Sequence, residues 1–381
     1  MKAINIIICC TFFVCSCSKS IVTNINPKQN IASKTALIEE KNFLTDTIYV
    51  GDIITNRPLT SQIIEVEGQE KYVLLDQNKL YQFDWKTGVL EDSIDLDKCG
   101  NIDNYSGFNY KNKDSIYVYN YNARTLFLTN FQGKILNKRD IQKEEKKADY
   151  EALNKTRIIG SQNYVIMSGG KLGDISDMND SNRVVSQKVE FSNRAPEDAM
   201  SYPNIYNNGF WGGVYMNEVS HTLTGDNNVA YSFPVDHYVR ICNLQTLKKD
   251  SIFMGSKYID AIKSNSDNPI DLFTNKEARI IYYINEHSYG NILYDKYHNL
   301  VVRFALHPLG DAYDGDNFNK PLSIITYNLK NKEMTESAIF KDYSTLNMSN
   351  IHVCKDGIAI ATFDNKDETK IIFKIFKYSK Q

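Results

Sequence analysis

The run Tyr72-Val73-Leu74-Leu75-Asp76, followed by Leu80-Tyr81-Gln82-Phe83-Asp84, a Lys86-Thr87-Gly88 turn and then Val89 to Leu96, decides how this chain folds. Short apolar and aromatic stretches alternate with Asn, Asp, Gly and Lys, which is the pattern of strands joined by hairpins. Composition agrees, since tyrosine suits a pleated, half-buried surface and supplies 25 of the 381 residues, while proline supplies 8.

The same unit returns along the chain. Ser115-Ile-Tyr-Val-Tyr119 leads into Leu126-Phe-Leu-Thr129, a Gln132-Gly133 turn and Ile135 to Ile141. Val229 to Phe233 is followed by Tyr238 to Cys242 and Leu247 to Phe253, and Leu300 to Phe304 by Leu322 to Tyr327 and Glu333 to Phe340. Weaker copies start at Tyr164 and Gly357. Units of four strands, spaced roughly 40 to 70 residues apart, are the signature of propeller blades. The sequence therefore predicts an all-β chain, a β-propeller of six blades over residues 43–381, with a β-sandwich or two stacked β-domains as the alternative. A seventh blade stays open through Ile280 to Asn285, which reads as part of an extra strand pair. The last unit lacks an outer strand, and Asp46 to Val50, upstream of the first blade, is placed to supply it and close the ring.

Loop lengths are asymmetric. The turns expected between first and second strands and between third and fourth strands are short, whereas Gly169 to Gln187, Arg194 to Tyr215, Gly255 to Arg279 and His307 to Pro321 all fall on the other face. Long loops on a rigid scaffold build binding surfaces, so that rim is the expected functional face.

The N-terminus carries an address. Lys2, an apolar run from Ile4 to Val14 and small residues before a cysteine form an export signal too short to span a membrane. Val14-Cys15-Ser16-Cys17 is similar to the lipobox of bacterial lipoproteins, which makes 1–16 the signal peptide and Cys17 the acylated residue, anchored stably by several acyl chains. Residues 17–42 are polar and read as a flexible tether; about 25 residues of coil reach roughly 28 Å. In lipoproteins of this kind an acidic run behind the cysteine goes with surface export, and Ser18-Lys19-Ser20 has none, so the expected location is the bacterial envelope, facing the periplasm.

Charge and motifs exclude several classes. With 44 basic against 46 acidic side chains the chain lacks the basic surface that nucleic-acid binding needs. Cys99, Cys242 and Cys354 are far apart and odd in number, indicating neither a zinc site nor a disulfide framework. No phosphate-binding, dinucleotide or nucleophile-elbow motif occurs, and no cofactor is implied. Asp314 and Asp316, in the loop Gly310 to Asn317, carry acidic oxygens but miss the EF-hand's third ligand and closing Glu, so they read as a solvated turn on the rim. Asp174 to Asn182 has the same defect. Asp236 beside His237 would orient an imidazole for acid/base work only in a loop conformation, since neighbouring strand residues face opposite ways. Trp211, in the glycine-rich stretch Asn208 to Gly213, either stacks on a sugar or peptide or plugs the end of the ring. The Lys143 to Lys147 run reads as a solvated helical connection.

Asp114 to Val118, Leu126 to Gly133, Tyr231 to Pro234 and Tyr294 to Phe304 together resemble the domain of unknown function 4221 family, lipoproteins of Bacteroidetes-type bacteria. The resemblance covers roughly Phe43 to Tyr378 and implies a propeller. Where that family tends to carry Arg and paired Tyr, this chain has His298 and Val301-Val302, although Arg303 matches. The family carries no assigned activity, so the resemblance transfers no catalytic residue. Two functions compete. The first is a non-catalytic binder of a peptide, glycan or protein partner on the long-loop rim. The rival is an envelope hydrolase or lyase, for which Glu218, His221, His287 and Arg303 would have to meet at the channel mouth.

Overall fold

Six four-stranded antiparallel sheets stand in a ring; in five of them the chain order runs from the channel outwards, and the sixth takes its outer strand from the beginning of the chain. The computed structural model describes residues 21–28, 38–52, 54–102, 106–141, 150–161, 163–169, 183–192, 194–225, 227–265, 274–313, 319–340, 343–363 and 367–378. Cys17, the 143–147 run, the 174–182 stretch, Asp314 and Asp316 lie outside them.

Blade 1 consists of Ser61–Val66, Gln69–Asp76, Lys79–Asp84 and Leu90–Asp95, and blade 2 of Gly107–Asn112, Ser115–Asn120, Thr125–Thr129 and Ile135–Asp140. Blade 3 has Ile159–Gly160, Tyr164–Ser168, Val184–Glu190 and Glu197–Ser201; blade 4 has Ser220–Leu223, Asn228–Ser232, Tyr238–Asn243 and Lys249–Phe253. Blade 5 has Ser288–Asp295, Leu300–Leu306, Leu322–Asn328 and Met334–Glu336. Blade 6 takes Leu346–Cys354, Gly357–Thr362 and Lys370–Tyr378 from the end of the chain and its outer strand, Ile38–Tyr49, from the beginning. Inner strands of blades 1 and 2, 2 and 3, 4 and 5, 5 and 6, and 6 and 1 are neighbours around the axis.

Period-two alternation explains why the second strands are apolar throughout. Successive side chains point to opposite faces, and each face of a blade meets a different neighbour. Tyr72 and Leu74 pack with Phe373 and Ala359 of blade 6, whereas Val73 and Leu75 pack with Phe108 and Val118 of blade 2. Ile116 and Val118 likewise belong to the core shared with blade 1, and Tyr117 and Tyr119 to the core shared with Val165 and Met167 of blade 3. The core is thus a set of inter-blade layers. Cys99, Cys242 and Cys354 are buried free thiols within them.

The ring closes as the sequence predicts. Leu44 pairs with Ile375 and Tyr49 with Lys370, which covers the edge of Lys370–Tyr378. The closing strand starts at Ile38, upstream of the predicted boundary. Its end touches the third-to-fourth turn of blade 1, where Tyr49 N–H donates to Gly88 O at 2.9 Å. Gly88 has φ +70°, and a Cβ there would lie 1.9 Å from the Thr47 carbonyl oxygen, so this seam requires glycine.

There is no seventh blade among the described residues. Ile280 to Asn285 belongs to a helix, Lys276–Asn285, because the Asn275 side chain accepts from Glu277 N–H and Ala278 N–H, and Ile280 and Ile284 bury themselves one turn apart. Within the span read as a tether, Thr23–Ile25 forms a two-stranded sheet with Ala261–Lys263. The Asn26 side chain fixes that segment further, donating to Ser256 O (2.7 Å) and Ile259 O (2.8 Å).

Candidate functional site: the two mouths of the channel

Chain direction places every second-to-third loop and every blade-to-blade connection on one rim. The long ones do lie there, between Ser168 and Val184, Ser201 and Ser220, Phe253 and Ser288, and Leu306 and Leu322. Three carry more structure than their sequences suggest. Gly169 to Gln187 runs into the strand Val184–Glu190, Arg194 to Tyr215 contains the outer strand of blade 3, and Gly255 to Arg279 contains the strand that receives the N-terminal segment.

At this rim the channel opens into a cavity of about 450 Å³, within the size range of small-ligand pockets. Inner strands contribute Ser220, Tyr289, Asn291 and Met348, and the connections contribute Lys155, Tyr215, Glu218, Tyr283, Lys320 and Phe363. Lys155 Nζ donates to Glu218 at 2.7 Å, a pair with side chains 27% and 38% exposed that neutralises itself in contact with solvent. Tyr215 and Tyr283 stack, with centroids 5.2 Å apart and planes at 28°.

Lys320 is the unusual cation of this cavity. Its buried ammonium donates to Tyr283 O at 2.9 Å, to Glu286 O and to Ser288 Oγ at 3.1 Å, and lies over the Tyr283 ring. Burial pulls its pKa down to about 7. With three acceptors for three protons it acts as a clamp, satisfying carbonyls at the end of the helix Lys276–Asn285 and tying them to blade 5.

The residues that a hydrolase or lyase would need do not converge. Arg303 is 0% exposed and braces blade 5 against blade 4, donating to Ser232 Oγ (2.9 Å), Met254 O (3.2 Å), Phe233 O (3.0 Å) and Asp236 O (2.7 Å) and covering the Tyr289 ring. Burial lowers its pKa to about 10. His221 Nε2 donates to Arg157 O at 2.7 Å, and burial brings its pKa to about 4. His287 packs edge-on against His307 and is also pulled to about 4, first by burial and then by Lys320. Only Glu218 reaches the mouth.

Asp236 and His237 occupy a loop, as acid/base work would need, but serve separate structures. The Asp236 carboxylate holds Arg240 Nε at 2.7 Å and Tyr238 N–H at 3.0 Å. His237 Nε2 faces Asn24 O at 3.0 Å, so it donates there, and Nδ1 accepts from Tyr289 Oη at 2.8 Å. His237 thereby secures the N-terminal segment. Trp211 is buried, donates to Ile205 O at 3.2 Å and packs on Tyr206 within the core around blades 3 and 4, so it offers no stacking face.

Sequence reading missed the waist of the channel. Arg157 Nη2 lies 2.9 Å from His352 Nδ1; His352 Nε2 lies 2.6 Å from Asn350 Oδ1 and 3.1 Å from Ser61 Oγ. Ser61 N–H donates to Asn154 Oδ1 at 2.8 Å, Asn154 Nδ2 to Ser349 O at 2.8 Å, and Asn350 Nδ2 to Tyr72 Oη at 3.2 Å. A serine beside a histidine suggests a nucleophile and its base, but an arginine on Nδ1 can only donate. The ring proton therefore sits on Nε2, facing Ser61 and Asn350, and His352 cannot take the serine proton.

These features define a class: an all-β, six-bladed propeller whose channel is crossed at its waist by a buried polar network and widens into a cavity on its long-loop rim. The chain belongs to the DUF4221 family, a domain of unknown function whose model matches residues 38–336. It is similar to the crystal structure of a DUF4221 family member from Bacteroides vulgatus, at 17% identity and a TM-score of 0.70, over 91% of this chain and 100% of that one. It is also similar to a Bacteroides fragilis protein described as exported, at 13% identity and a TM-score of 0.53, over 91% of this chain and 98% of that one. No curated protein matches the chain.

Proposed function

We propose that the chain is a lipid-anchored envelope propeller that binds a segment of a peptide, glycan or protein partner in the upper cavity and does not transform it. The observation that carries this reading is the chemistry of that cavity. Its charged pair, Lys155 with Glu218, is self-neutralised, and its buried ammonium, Lys320, has all its protons committed. What remains for a ligand is aromatic and amide surface from Tyr215, Tyr283, Asn291, Asn347 and Phe363. Such a lining suits hydrogen bonding and stacking with a neutral polar ligand. The anchor rests on the lipobox around Cys17, and envelope location on the signal before it.

Peptide and glycan arrays test the binding. A ligand captured by the intact chain should be held about tenfold more weakly by Phe363→Ala and Asn347→Ala, and recovered chemically unchanged. Capture that ignores both substitutions, or recovery of cleaved ligand, overturns the proposal. For the anchor, labelled palmitate should be incorporated by the intact chain and lost in Cys17→Ala.

A further inference from the structure

At the other end of the channel, the far ends of the inner strands of blades 1, 2, 4, 5 and 6 surround a second cavity of about 350 Å³, with Arg157 in its lining. The arginine spends Nη2 on Ile351 O at 3.1 Å and His352 Nδ1 at 2.9 Å, while its Nε is sealed from solvent with no acceptor. Tyr110, buried in the same lining, has its hydroxyl equally without a partner. The two residues that carry these unmet donors therefore line one cavity.

The charges agree. Glu65 is the acid among the described lining residues, and it is occupied by Lys296 at 3.2 Å and Lys355 at 3.6 Å. Arg157 and Lys111 have no ion-pair partner among the described residues. A guanidinium partly taken out of water without a counter-charge loses solvation that its hydrogen bonds to Ile351 O and His352 restore only in part. His352 adds no positive charge, because burial and Arg157 keep its imidazole neutral.

We propose that the lower cavity binds the anionic group of a ligand, a carboxylate or a phosphate, on Arg157 with Tyr110 as a second donor. A charge-assisted hydrogen bond to the guanidinium supplies the missing counter-charge, and the phenol supplies a neutral donor beside it. The site is separate from the upper cavity and stands or falls independently of what binds there.

Titration calorimetry of the full chain at low ionic strength, with succinate and with inorganic phosphate as probes, tests this. At least one probe should bind saturably, and which one identifies the anion. Arg157→Met should weaken binding about tenfold or more. Tyr110→Phe should weaken it severalfold while leaving the melting temperature unchanged or raised, because it removes an orphaned buried hydroxyl. That variant decides the matter if Arg157→Met does not fold. Phe363→Ala, at the opposite mouth, should bind the probe as the parent does. Failure of both probes to bind, equal affinity in Tyr110→Phe, or loss in Phe363→Ala overturns the assignment.

Discussion

The Nη2 of Arg157 and the Nδ1 of His352 are 2.9 Å apart, and this contact sets the tautomer of the imidazole. Because the guanidinium donates, the proton on Nε2 is shared with Asn350 Oδ1 at 2.6 Å. Nitrogen-detected NMR should show His352 as the Nε2–H form, with no titration between pH 8 and 5. A midpoint near the ordinary histidine value would refute this arrangement.

Several buried histidines make the fold acid-sensitive. Burial lowers the pKa of His221 and His287 to about 4 and of His307 to about 3, and that of His352 well below its ordinary value. In the unfolded chain each titrates near 6.5. A group with a depressed native pKa for its cationic form is neutral in both states above the unfolded value. As pH falls below that value the unfolded chain takes up protons the native chain cannot, and stability drops by about 1.4 kcal/mol per histidine for each pH unit, down to the native pKa. Asp46, Glu70, Glu286 and Glu336 oppose this, since burial raises their native pKa and lets the folded chain hold protons better, while His237, also lowered by burial, adds a fifth histidine to the first set. The histidines are the larger set, so the urea midpoint should fall between pH 6.5 and 4; a flat profile contradicts the prediction.

Arg303 should be a stability residue. Arg303→Met removes four hydrogen bonds and leaves the carbonyls of Met254, Phe233 and Asp236 without this donor, at a cost of about 3–5 kcal/mol. Urea denaturation measures it. A loss under about 1 kcal/mol would show that the blade 4 to blade 5 brace is redundant.

The seam at Gly88 gives a further check. Gly88→Ala places a methyl group against the Thr47 carbonyl at a positive φ, and should destabilise the ring by more than about 2 kcal/mol. Val89→Thr, one residue on and exposed, should stay within about 0.5 kcal/mol. Equal effects from both would mean that the seam does not constrain the turn.

The blades were legible because each second strand is buried on two faces, which writes a run such as Tyr72 to Leu75 into the sequence. Elements with less to bury were not. Glu197–Ser201 is an outer strand without a β-branched residue and reads as loop, while Ile159–Gly160 is two residues long. Ile280 to Ile284 looks strand-like in composition, and only the Asn275 cap and the one-turn spacing of its buried isoleucines make it helical. The waist was hidden for a different reason. Ser61 and His352 are 291 positions apart, and Ser61 and Asn154 are 93, so no local spacing announces their contact. The one trace was Asn350 and His352 breaking the apolar alternation of an inner strand.

The docking of Thr23–Ile25 onto Ala261–Lys263 fixes the side of the ring on which the N-terminal segment is held. With a lipid on Cys17 and every residue after it free, the ring would tumble beneath the membrane. The first held residue is Val22, whose N–H donates to Ser264 Oγ at 2.9 Å, and it lies five peptide steps from Cys17, about 18 Å at full stretch. The pinning point is beside Val235 and His237, on the rim of the upper cavity. A lipid on Cys17 would therefore keep the long-loop rim nearer the bilayer than the opposite mouth.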